Sequence, residues 1–267
     1  MYDKDKSTLG KHSSGCRCGE HIPERGEYMS TYEQRVKFKT AEWRRKIVSR
    51  SGLLQRVSKK AQTKVNSLIP ERVHYIMTES IKKVVQAALI GSEFTSRKRN
   101  VSYITLEEKE QQVLDTLNTY KKTAAIEGAG TGAGGIFLGL ADFPLLLSIK
   151  MKFLFETAGI YGYDVKEYEE RLFILQVFQL AFSSDEHRQR TLDIIEHWEE
   201  RKYELKELDW RTFQQEYRDY IDFVKMLQLL PGIGAVVGAY ANYNLLEHLG
   251  EVAMNAYRLR LFKSIEA

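Results

Sequence analysis

Apolar residues recur at three- and four-residue spacing along most of this chain. Tyr32, Val36, Trp43 and Ile47 fall near one face and predict a helix over about 31–50. Ser30 stands three residues before Glu33, the spacing of a capping box, so the helix start is well marked. Gly52 ends that segment. A second helix is predicted from Leu53 to about Leu68, and Pro70 opens a third that runs to about Ile90. Residues 91–105 read as a polar loop. Thr105 and Glu108 repeat the capping spacing and start a helix reaching about Glu127. A glycine-rich helix then extends to about Ala158, and Gly159, Gly162 and Asp164 mark a turn. Further helices are predicted over about 165–182, 185–203, 209–229 and 233–262. Alternating strand patterns are absent, so the fold class is all-α, a multi-helix bundle.

Two glycine-rich apolar helices within this pattern form a pseudo-repeat at an offset of 100 residues. Gly132 to Leu146 matches Gly232 to Leu246, with Gly134 on Gly234, Ala141 on Ala241 and Phe143 on Tyr243. Small residues four apart flatten a helix face and admit a second helix closely. Gly134, Gly135, Gly139, Gly234 and Gly238 are therefore the expected packing positions. Asp142 and Asn242 occupy equivalent places, and an Asn amide donating to an Asp carboxylate would satisfy both in an apolar setting. The other reading of Asp142 is a catalytic carboxylate in an apolar pocket, as in a hydrolase acting on lipid or peptide. No His or second acid accompanies it in that segment, which favours the structural role.

Gly130 to Gly135 satisfies the G-x-G-x-x-G spacing of dinucleotide sites. The context opposes that chemistry. A helix end precedes it instead of a strand, and no Lys-Ser/Thr follows, so a helix–helix junction is the better reading. Ile136 to Ile149 and Leu229 to Leu246 are long and apolar, yet Asp142 and Asn242 interrupt them. A buried core, or a hairpin dipping into one leaflet, fits better than a crossing.

Charge adds a second pattern. Residues 1–28 carry 5 basic and 5 acidic groups, residues 29–100 carry 17 basic and 5 acidic, and 101–267 carry 18 basic and 26 acidic. Between Arg35 and Lys64 lie 11 basic residues and one acid, Glu42. A basic front half calls for a polyanionic partner. Lysines and arginines interleaved with Trp43, Ile47, Leu53 and Leu54 suit lipid better than nucleic acid. Lys39, Trp43, Arg44, Arg45 and Lys46 are the candidate membrane-surface residues, with Trp43 at the headgroup level. A basic nucleic-acid-binding protein is the competing reading, and a solvated basic face with Trp43 in the core is the simplest.

Residues 1–28 show no hydrophobic period and are expected to be a disordered tail or leader, with Met29 as the biological start and 29–267 as one helical domain. His12, Cys16, Cys18 and His21 are metal-ligand types, but C-x-C is not the usual zinc spacing, so no metal or cofactor is expected. Two cysteines make no disulfide framework, and no apolar leader is visible, so a cytoplasmic setting is expected. His187, His197 and His248 read as surface histidines, and Trp198 and Trp210 as core anchors.

Several of these stretches together resemble the EcsC family. They are Gly128 to Gly135 followed by Gly139 to Pro144, and Pro231 to Asn242. Gly159 to Asp164 with Glu170 and Arg171 also matches. Tyr32 to Arg35, Trp43 and Gln62 to Pro70 are similar to bacillar members. The likeness covers about residues 30–262. It implies an accessory protein that accompanies the ATPase and membrane subunits of an Ecs-type ABC transporter, and the basic front half adds the expectation of peripheral attachment at the inner face of the cell membrane. It carries over no catalytic residue.

Overall fold

The computed structural model describes residues 29–49, 71–91, 94, 103–132, 135–183, 185–207 and 235–266. Within the helices, side chains are described except at 49, 73–74, 127–142, 185–186, 207, 235–242 and 266. These residues form eight helices and no strand: α1 (Thr31–Ser49), α2 (Glu71–Ile90), α3 (Leu106–Gly132), α4 (Gly135–Tyr161), α5 (Tyr168–Phe182), α6 (Asp185–Glu196), α7 (Trp198–Glu207) and α8 (Ala235–Glu266). The fold is an all-α bundle.

Both predicted capping boxes are present. The Glu33 N–H donates to Ser30 Oγ at 3.2 Å and the Ser30 N–H to Glu33 Oε2 at 2.7 Å. Thr105 and Glu108 make the same reciprocal pair at 3.3 and 2.8 Å. Each box satisfies two N–H groups that the first turn leaves without helical partners. At the other ends, Gly91 closes α2 with φ +76° and Gly162 closes α4 with φ +101°, both in the left-handed region. Asp164 Oδ1 then accepts from the Lys166 N–H at 3.0 Å, which turns the chain into α5.

Two boundaries differ from the sequence expectation. Helix α3 runs on to Gly132, past Glu127 and through glycines whose own helix propensity is poor. The expected helix over 185–203 divides at His197 into α6 and α7. There the Glu200 N–H reaches the His197 carbonyl at 3.1 Å, a tighter three-residue turn. That turn sends Trp198 into the core, edge-on to Phe173 with ring centroids 5.0 Å apart. The predicted helices over 53–68 and 209–229, Trp210 and the tail at 1–28 lie outside the described residues.

Helix α5 is buried on every side, with Leu172 to Phe182 wholly inside. The others pack around it and against one another, and α3 with α8 is the most extensive pair. These two run antiparallel: Glu110 meets Arg258, Leu117 meets Gly250, and Lys121 meets Glu247. A Cβ on Gly250 would stand 2.6 Å from Leu117 Cδ2, so this glycine sets the close approach.

Candidate functional site

Helix α1 has two faces of different kind. Its inner face carries Val36, Thr40, Trp43 and Ile47, all buried against the bundle. Trp43 is only 8% exposed, which corrects its expected place at a membrane headgroup layer. The physical reason is the period: Trp43 continues the Val36–Thr40–Ile47 stripe, and burying that stripe is what docks the helix. The side chains of Lys39 and Arg45 remain exposed. Lys46 is exposed too and pairs with Glu42 at 2.7 Å. That hydrogen bond, and then the Lys46 charge, hold the Glu42 carboxyl below its ordinary range. Arg44 is committed sideways: its Nε and Nη2 donate to the two carboxylate oxygens of Glu196 on α6, the second at 2.8 Å. This paired geometry raises the Arg44 pKa further. A groove of about 470 Å³ runs between α1 and α6, lined by Arg44, Arg45, Val48, Gln189, Leu192 and Asp193.

Behind this surface, buried polar networks fix the helices. Glu110 on α3 accepts from the Tyr32 hydroxyl of α1 at 2.6 Å and from Arg258 Nε and Nη2 on α8 at 2.7 and 2.5 Å. Burial and the adjacent Glu110 carboxylate push the Tyr32 hydroxyl up to about 12. Arg258 Nη1 also donates to Asn255 Oδ1 at 3.2 Å, and the same oxygen accepts from Thr40 of α1 at 3.3 Å. A second network uses the neighbouring positions Tyr257 and Arg260 of α8. Glu170 on α5 accepts from the Tyr257 hydroxyl at 2.8 Å and from Arg260 Nη1. Burial pushes the Glu170 carboxyl up, while Arg260 and Tyr257 pull it down. The Arg260 guanidinium lies 4.0 Å from the Tyr163 ring centroid and 4.8 Å from that of Phe173. Tyr161 stacks on Tyr257 at 5.0 Å and joins the two networks. Both networks use their acids as acceptors for tyrosine and arginine. That is how a bundle is held together, and it leaves neither carboxylate free for acid–base work.

Lys150 is a further buried cation that the sequence did not single out. It sits on α4 at 0% exposure, and burial lowers its pKa to about 7.

The sequence candidates distribute as follows. Asp142, Gly135 and Gly139 lie in α4, and Asn242 and Gly238 in α8. Their side-chain relations, the Asp142–Asn242 pairing included, lie outside the described residues, as do Gly134 and Gly234 altogether. Trp198 is a core anchor, as expected, and His197 is exposed. His187 and His248 are half-buried, with His248 Nε2 3.3 Å from the Ala181 carbonyl. Among the described residues no three His, Cys, Asp or Glu side chains gather as metal ligands, and no helix is long and apolar enough to cross a membrane.

Sequence reasoning missed Phe38. It is 67% exposed on the outer face of α1, opposite the buried stripe. The signal was present: Phe38 sits between Lys37 and Lys39, two positions out of phase with Val36 and Thr40. Glu110, Glu170, Arg258 and Arg260 gave no such signal, because a charge on a helix reads as solvated until its partner is placed.

Comparison with known proteins agrees with the spaced glycine motifs. The model of the EcsC protein family matches residues 34–262. The chain is 54% identical to Protein EcsC of Bacillus subtilis (strain 168) over 222 residues, covering 83% of this chain and 93% of that one. It is 26% identical to the Uncharacterized protein YdbA of the same strain over 219 residues, covering 73% of this chain and 80% of that one. No solved structure matches. A match that extends from the first helix almost to the end of the last places the chain in the EcsC protein family.

Proposed function

We propose that this protein is a non-catalytic accessory factor of an Ecs-type ABC transporter, working at the cytoplasmic face of the cell membrane. The observation that carries the reading is the outer face of α1, where Arg35, Lys37, Lys39, Arg45 and Lys46 are all exposed. The inner face of the same helix is locked into the bundle, so these cations are presented on a rigid platform. Each basic group near an anionic leaflet contributes about 1 kcal/mol, falling off within a Debye length. The acidic excess of residues 101–267 supports one orientation, with the front half toward the lipid. The transporter association follows from what the family resemblance implies. An anionic membrane is preferred to nucleic acid because the exposed cations accompany an exposed phenyl ring and no row of polar base readers.

Cell fractionation tests this. The full-length protein should pellet with membranes at low ionic strength. It should be released by a wash at about 1 M salt, where the Debye length contracts to about 3 Å, without detergent. Recovery in the soluble fraction at low ionic strength would end the reading.

A further inference from the structure

The outer face of α1 is more than basic. Helical geometry places Phe38, Ala41 and Arg45 on the side opposite the buried Val36, Thr40, Trp43 and Ile47, with Val48 at the edge toward α6, where it lines the groove. Phe38 is 67% exposed and Val48 40% exposed, and Ala41 between them is exposed as well. One side of this stripe is bordered by Arg35, Lys39 and Lys46, with Glu42 held by Lys46. The other is bordered by Lys37 and by Arg44, which Glu196 anchors to α6. The inner apolar stripe is consumed by the bundle, and Phe38 with Ala41 forms a short apolar strip on the outer side that has no role in the core.

A narrow apolar stripe between two cationic borders is the pattern of a helix lying in a membrane interface. We propose that α1 lies along an anionic leaflet with Phe38 inserted among the lipids. Arg35, Lys39 and Arg45 then sit at the phosphate level. The occupant is a bilayer containing anionic phospholipid. Charge complementarity selects the anionic headgroup, and the phenyl ring selects a surface with an apolar layer beneath it. The inference rests on the membrane-face reading above and gives that reading its contact residue. Trp43 cannot serve, because it faces the bundle. Phe38 stands about five residues earlier on the opposite side, pointing away from the core. The ties from Tyr32 to Glu110 and from Thr40 to Asn255 fix the rotation of α1 and hold the outer stripe outward.

The test uses the full chain and vesicles of phosphatidylcholine with and without phosphatidylglycerol. Phe38→Ser should weaken partition into the anionic vesicles by roughly tenfold, the effect of withdrawing one buried aromatic side chain. Phe38→Leu should retain most of the binding. Both variants should unfold thermally as the wild type does, since Phe38 contributes nothing to the core. If Phe38→Ser binds as tightly as wild type while Arg35→Gln/Lys39→Gln/Arg45→Gln does not bind, attachment is by charge alone. The insertion inference then falls and the membrane reading stands. If the wild-type protein binds neither vesicle, both fall together.

Discussion

Glu110→Ala is expected to destabilise the protein by about 3–5 kcal/mol, the cost of stranding a buried charge. Glu110 is buried and accepts two hydrogen bonds from Arg258 and one from Tyr32. Its removal leaves the largely buried guanidinium without its carboxylate between α1, α3 and α8. It also cuts the tie that holds the first turn of α1. Urea unfolding followed by circular dichroism measures the loss. The double variant Glu110→Leu/Arg258→Met should recover most of it, because replacing both partners removes the stranded charge together with its carboxylate. A single variant within 1 kcal/mol of wild type would show that the network contributes little. A double variant no better than the single one would assign the loss to packing instead.

Lys150 should make stability depend on pH in a particular direction. Above about pH 10.4 the amine is neutral in both the folded and unfolded states, and burial costs nothing in charge. Below about 7 it is charged in both, and the whole penalty of a buried ammonium applies. Between those values the unfolded chain binds a proton that the folded protein refuses. Stability attributable to Lys150 therefore rises with pH across this window, by about 1.4 kcal/mol per unit at most. Other groups titrate in the same range, so the comparison is with Lys150→Met, which conserves volume and removes the amine. Chemical denaturation at about pH 7 and about pH 9.5 should show a wild-type gain of roughly 2–3 kcal/mol beyond that of the variant. Equal pH dependence in the two proteins would mean that Lys150 keeps its proton in the folded state.

Much of the fold was legible because its signals are local. Ser30 with Glu33 and Thr105 with Glu108 announce helix starts by spacing alone, and the hydrogen bonds match that reading. Gly91 and Gly162 end their helices with positive φ, as glycine-marked breaks should. The break at His197 was not legible, because it follows from where Trp198 is buried and no breaker residue marks it. The site was legible only in part. The basic run drew attention to α1, and of the two readings of Trp43 the buried one is correct. A tryptophan among lysines and arginines looks interfacial until the Val36–Thr40–Ile47 stripe is traced through it. The ionic networks were not legible at all. Glu110 and Arg258 are 148 positions apart, and nothing in either neighbourhood names the other. Lys150 was hidden for a related reason: it closes an apolar run, where a lysine ordinarily marks a helix leaving the core.

Vesicle co-sedimentation measures most directly whether the outer face of α1 holds this protein to anionic lipid. Wild-type protein should pellet with vesicles containing phosphatidylglycerol and stay in solution with pure phosphatidylcholine. Binding should fall as salt shortens the Debye length, and should drop at least tenfold when Arg35, Lys39 and Arg45 all become Gln, removing three contacts of about 1 kcal/mol each. Salt-insensitive binding to the neutral vesicles would contradict attachment through α1 and point to insertion of the glycine-rich segments instead. No binding to either vesicle would contradict membrane attachment outright.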